Sequence, residues 1–256
     1  MPPVNINQTI TLDINFIVLL FALAIIAFLY SSVGHGGASG YLAVMAIVGI
    51  APALMKSSAL VMNLAVSLMS FIGFYKAGFF RWKLFLPFAI ASIPFAFIGG
   101  TMVLPDAIYK KVLAVCLFIA ILRLVYQFKT NKDEKRDIPV WAGLLSGGLI
   151  GLVSGMIGIG GGIILSPLML LMRWATLKET AAVSALFIFV NSISGLIGQL
   201  QKGGIHLTDN LQYAVLATII GGLSGSYFGS RKFNIPTLRY LLALGLIIAS
   251  LKLMFT

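Results

Sequence analysis

Two glycine-dense clusters hold the residues best placed for chemistry. The first reads Tyr30-Ser-Ser-Val-Gly-His-Gly-Gly-Ala-Ser-Gly40 and the second Ser154-Gly-Met-Ile-Gly-Ile-Gly-Gly-Gly162. Glycine inside a helix costs about 1 kcal/mol relative to alanine, so runs of this kind interrupt helices. The helix that restarts after such a break aims its first N–H groups, and the positive end of its dipole, into the gap. That arrangement holds an anion without a basic side chain. The competing reading is that the glycines let helices approach closely.

Hydroxyls and amides follow each cluster at similar distances: Ser57, Ser58 and Asn63, then Ser184, Asn191, Ser192 and Ser194. They are donors able to close a polar cage around an oxyanion, or to bond from helix to helix. His35 is the one ionisable residue inside a cluster, and its counterpart in the second is Ile159. It is a candidate proton carrier or donor. A serine-protease reading also exists, because Gly37-Ala-Ser-Gly40 fits a G-x-S-G pattern with His35 four residues before Ser39. The absences narrow the choice. All seven acids fall in loops or at segment ends. Two histidines and one cysteine, far apart, make no metal site. No nucleotide fingerprint is present. The sequence therefore calls for no metal and no cofactor.

The elements that must position these residues are apolar. Of 256 residues, 59% are hydrophobic and 10% charged, and mean hydropathy is +1.03. A soluble domain carries about 25% charged residues, so composition excludes an ordinary soluble enzyme. Apolar stretches run over 14–30, 38–55, 57–75, 84–103, 107–127, 139–156, 161–172, 180–200, 210–230 and 236–254. The second and seventh are short for a bilayer crossing, which takes about 20 helical residues, and both follow a glycine cluster. The first lacks the basic start and cleavage pattern of a signal peptide, and is expected to stay in the mature chain. Cys116 lies in an apolar run and reads as a core residue.

The net charge of +11 is unevenly placed. With the N-terminus outside, thirteen of the 18 lysines and arginines fall on the inside and five, Lys56, Lys110, Lys111, Lys202 and Lys252, on the outside. That asymmetry favours both termini outside and membrane flanks over nucleic-acid binding. Tyr75, Trp82, Tyr109, Tyr126, Trp141, Trp174 and Tyr240 fall near segment ends, as an aromatic belt would.

The chain also repeats itself. Gly34-His-Gly-Gly-Ala38 aligns with Gly158-Ile-Gly-Gly-Gly162 at an offset of 124, Ser58-Ala-Leu60 with Ser184-Ala-Leu186 at 126, and Lys76 with Lys202 at 126. The reading is a single membrane domain: a first helical repeat over 1–128, a cytoplasmic linker over 129–138 and a second repeat over 139–256. The fold class is an all-α polytopic membrane protein of two inverted-topology repeats of five helical segments. Each repeat starts with a broken or re-entrant glycine-rich hairpin. An odd number of segments per repeat inverts the second against the first, a recurring build of secondary transporters.

At these clusters the sequence resembles the sulfite exporter TauE/SafE family, also called the toluene sulfonate uptake permease family. The likeness is strongest over Gly151-Leu-Val-Ser-Gly-Met-Ile-Gly-Ile-Gly-Gly-Gly162, Ser166-Pro167 and Ala181-Ala-Val-Ser-Ala185. It implies a plasma-membrane permease built as a duplicated helical unit and linked to sulfite, sulfonates and related organic anions. His35 and Ala43 depart from the family pattern, which pairs a proline with Pro167.

The reading that follows is secondary transport of a small anion, a sulfur oxyanion by resemblance, at a midplane site alternately exposed by the two repeats. The candidate substrate-binding residues are Gly34, His35, Gly36, Gly37, Ser39, Ser57, Ser58, Asn63, Gly158, Gly160, Gly161, Gly162, Ser184 and Asn191. Partners are the anion and the lipid bilayer, with a homo-oligomer compatible and nucleic acid excluded. The alternatives are a rhomboid-like intramembrane protease using Ser39 and a non-transporting membrane scaffold.

Overall fold

A computed structural model describes residues 14–125, 136–207 and 210–231, together with Ile247, Ser250 and Leu251 of the C-terminal segment. These residues form nine helices: α1 (Ile14–Ser32), α2 (Ala38–Val48), α3 (Pro52–Lys76), α4 (Trp82–Thr101), α5 (Asp106–Val125), α6 (Val140–Ile157), α7 (Gly162–Leu171), α8 (Leu177–Lys202) and α9 (Leu211–Arg231). No strand occurs among the described residues. Linker residues 129–135, and all of the tenth stretch but those three residues, lie outside the description. Of the tenth stretch, the Ser250 hydroxyl donates to the Ala114 carbonyl of α5 at 3.1 Å.

Helix lengths sort the elements into two classes. At about 1.5 Å per residue, the 25 residues of α3 and 26 of α8 are more than enough to cross a bilayer. The 11 of α2 and 10 of α7 reach halfway. Helices α3, α4, α6 and α8 are each long and apolar enough to cross, and α8 is the most buried of them. Two boundaries differ from the apolar runs. Helix α3 opens at Pro52, because a proline at the first helical position loses no hydrogen bond. Helix α8 opens at Leu177, where Thr176 and Glu179 form a reciprocal capping box.

Each half gives its opening helix to the other. Helix α6 packs along α4, and α9 packs along α1, while α3 and α8 meet in the middle. Both exchanged contacts are made by glycines four residues apart. A side chain at Gly147, Gly151 or Gly155 would strike the α4 backbone at Phe88, Ser92 or Ala96. One at Gly221, Gly225 or Gly229 would strike the α1 backbone at Ala24, Phe28 or Ser32. Backbones this close gain dispersion contacts in a setting where apolar burial alone favours no association. The opposite faces of α1, α4, α6 and α9 expose Phe21, Ile90, Leu145 and Ile220, a surface suited to lipid.

Among the described residues the aromatic belt is only partly formed, and Tyr126 and Tyr240 lie outside the description. Trp82 and Trp141 are exposed, but Tyr109 and Trp174 are buried. Tyr109 turns inward because its hydroxyl donates to the Ile157 carbonyl at 2.9 Å, at the end of α6. Trp174 packs on Phe88 in the core beside α4.

Candidate functional site

Both glycine clusters break the chain. Helix α1 ends at Ser32 and α2 starts at Ala38; α6 ends at Ile157 and α7 starts at Gly162. The residue just before each restart adopts the left-handed conformation, Gly37 at φ +94° and Gly161 at φ +78°. Side-chain-bearing residues rarely sit there.

Asn63 of α3 ties the two breaks together. Its side-chain oxygen accepts from the Ala38 N–H at 3.1 Å, capping α2, and its nitrogen donates to the Ile159 carbonyl at 3.2 Å inside the second break. Ile188 of α8 lies against both: a Cβ on Gly36 would sit 3.0 Å from its Cγ2, and one on Gly160 2.7 Å from the same atom. One amide and one aliphatic side chain thus lie between the breaks, rather than polar groups alone. The backbone of Gly34 rests on Ala181, and that of Gly158 on Lys56.

His35 spans from the first break to α7. Its Nδ1 lies 2.9 Å from the Val33 carbonyl, and its Nε2 2.8 Å from the Ser166 hydroxyl and 3.3 Å from the Gly162 carbonyl. Ser166 in turn lies 2.8 Å from the Ser184 hydroxyl and bonds the Gly162 carbonyl at 2.8 Å. The ring therefore has an oxygen within hydrogen-bond reach of each nitrogen. Ser39 is engaged elsewhere, donating to the Tyr30 phenol oxygen at 2.8 Å. The histidine–serine pair of the protease reading is not the pairing seen.

The remaining expected residues divide. Ser58 is fully buried in α3. Ser57 donates to Gln199 Oε1 at 2.6 Å, in a second polar cluster toward the other end of α8. Asn191 is fully buried and neither of its polar atoms has a hydrogen-bond partner. Ser154 and Ser192, likewise buried and unpaired, border the second break: Cβ atoms on Gly161 and Gly160 would fall 3.3 Å from Ser154 Cβ and Ser192 Oγ. Ser154 and Ser166 lie within the motifs that carry the family resemblance without standing among the candidate binding residues, and Lys56 reads as a solvated flank, yet it is 8% exposed. Its buried ammonium donates to the Gly100 and Met102 carbonyls at 3.2 Å each.

Beside Lys56 a cavity of about 220 Å³ opens between the ends of α3, α4, α6 and α8 and the start of α5. The corresponding ground at the other end of α8 is filled. There Phe74, Ala181 and Ala182 pack with Phe79 and Phe80, and Arg81 pairs with Glu179 at 3.2 Å.

Comparison with known proteins decides the family. The model of the family described as sulfite exporter TauE/SafE matches residues 19–253. The chain belongs to the TauE/SafE family. It is 35% identical over 248 residues to the probable membrane transporter protein y4hK of Sinorhizobium fredii, covering 95% of this chain and 100% of that one. It is 26% identical over 223 residues to a probable membrane transporter protein of Haemophilus influenzae, covering 81% and 84% of the two chains. One from Methanocaldococcus jannaschii is 28% identical over 136 residues, about half of each chain. No solved structure matches the chain. A TauE/SafE protein with this apolar surface is a membrane transporter with a small-molecule substrate, and its setting is the lipid bilayer.

Proposed function

We propose that this TauE/SafE protein carries a small anion, a sulfite or organosulfonate in class, across the plasma membrane by alternating access. In this reading the substrate residues are those of the two breaks and of the α3 and α8 faces against them. The halves are inverted repeats with both termini outside. The observation that carries the reading is the Asn63 tie. It draws two helix starts to one point in the interior, and Ser154, Asn191 and Ser192 lie buried on α6 and α8 without a partner. Buried polar groups rarely stay unpaired; an oxyanion that accepts from them supplies what they lack. The described acids stand at segment ends. In this reading the moving units each combine helices of both halves, α4 with α6 and α1 with α9.

Purified protein in proteoliposomes loaded with radiolabelled sulfite, taurine or sulfate tests the reading. Saturable counterflow of at least one of these supports it. Absence of both flux and binding, with the protein folded, refutes it and favours a scaffold.

A further inference from the structure

We propose that the cavity beside Lys56 is a capture site for a free small oxyanion, from which the anion passes to the second break. The proposal rests on the transport reading and gives it an entry point.

Three observations carry it. First, the cavity holds a donor with nothing to bond. Gln199 is 8% exposed, its oxygen accepts from Ser57, and its Nε2 has no partner. A buried amide N–H₂ left unpaired costs about 1–3 kcal/mol, and Gln199 stands in the cavity wall, where a turn of its side chain would offer that donor to an oxyanion. Second, Lys56 brings a positive charge to the same wall, and its ammonium bonds only two carbonyls. Among the described residues no carboxylate lies within salt-bridge distance of Lys56. Lys202 and His206 line the rim as well, and Asp106 is the opposing charge. Third, the cavity lies beside the break, with Lys56 between them. Lys56 lies against the Gly158 backbone.

Packing does not account for the lysine. The counterpart of Gly158 in the first cluster is Gly34, and what covers Gly34 is Ala181. An alanine therefore suffices to seat a helix on such a glycine. The lysine adds charge at the end that is hollow, while the end with the alanine is packed with phenylalanines.

The test uses the full chain in phosphatidylcholine proteoliposomes and nanodiscs, with sulfite as probe. Lys56→Met is expected to raise KM for sulfite about tenfold or more, in keeping with the 10–10³ that a focused charge adds to capture. Its maximal rate should fall less than threefold, and Lys56→Arg should restore KM. Gln199→Leu should raise KM, and Asp106→Asn should lower it. A merely structural lysine would lower stability and maximal rate together, without that split. Wild-type KM in both Lys56→Met and Gln199→Leu, with flux intact, overturns the capture site and leaves the transport reading standing. A wild-type protein that neither binds nor moves sulfite overturns both. Should Lys56→Met fail to fold, Gln199→Leu and Asp106→Asn decide by the direction of their shifts. Replacing a third of the lipid by phosphatidylglycerol separates a free anion from a lipid phosphate. Unchanged sulfite affinity supports the proposal, and competitive loss abolished in Gln199→Leu assigns the cavity to the lipid.

Discussion

His35 Nε2 and the Ser166 hydroxyl lie 2.8 Å apart, joining the first glycine break to a helix that starts at the second. The join continues to Ser184 on α8. His35→Phe strips a ring partner from Ser166 and from the Val33 and Gly162 carbonyls. It should cost about 1–3 kcal/mol of stability, read as a lower midpoint of thermal unfolding in nanodiscs. His35→Gln, which can still donate, should recover part of that loss. A His35→Phe midpoint above that of His35→Gln would show that the ring's volume matters and its hydrogen bonds do not.

Asn63 is predicted to be the more demanding position. Alanine leaves the Ala38 N–H and the Ile159 carbonyl without their partner. Aspartate keeps the acceptor for Ala38 but sets a second acceptor against the Ile159 carbonyl. Asn63→Asp should therefore be no better than Asn63→Ala, each losing about 1–3 kcal/mol, and both should abolish counterflow. An aspartate variant with wild-type flux would remove the tie from the account.

Neighbouring glycines of α6 should respond in opposite directions. A Cβ on Gly151 would strike the Ser92 backbone, whereas one on Gly148 meets Phe95 and Ala91 at 3.5–3.7 Å, ordinary contact. Gly148→Ala should be neutral or stabilising by up to about 1 kcal/mol, the helix preference of alanine. Gly151→Ala should destabilise, because α4 must move away. Reversible unfolding of the two purified variants compares them directly.

At the packed end, the Arg81–Glu179 pair is half exposed on the arginine side. Arg81→Ala should change stability by less than about 1 kcal/mol. Glu179→Ala also removes the bond to the Thr176 N–H that closes the capping box and should cost about 1 kcal/mol or more. Similar losses for the two variants would mean that the ion pair outweighs the cap.

The orientation has its own check. Lys76 and Lys202 are exposed at the ends of α3 and α8, and the inverted reading puts them on opposite sides. In a Cys116→Ala background, Lys202→Cys should react with an impermeant maleimide in intact cells, and Lys76→Cys only after permeabilisation. Labelling of both in intact cells would end the inverted topology.

Much of this fold was legible because membrane helices declare themselves by apolar length, and because glycine breaks them. Stretches one to nine correspond to α1–α9, and the breaks fall at the two clusters. What stayed hidden lies in the third dimension. The α6 and α9 glycine stripes look like scattered small residues until α4 and α1 are laid on them. Tyr109 has the composition of a belt residue and turns inward for the Ile157 carbonyl. Lys56 sits one residue before Ser57, where a flank and a buried charge look alike. Ile188 has no polar pattern at all, yet it lies against both breaks.

The most direct test is to see where a pyramidal oxyanion sits. Selenite has the shape and charge of sulfite and scatters anomalously at the selenium edge. In crystals of the protein soaked with selenite, the account predicts a selenium peak within hydrogen-bond reach of Ser192 and the residues at 34–37 and 158–162. Selenite that is transported but gives no peak there, with density confined to the outer surface, would contradict it.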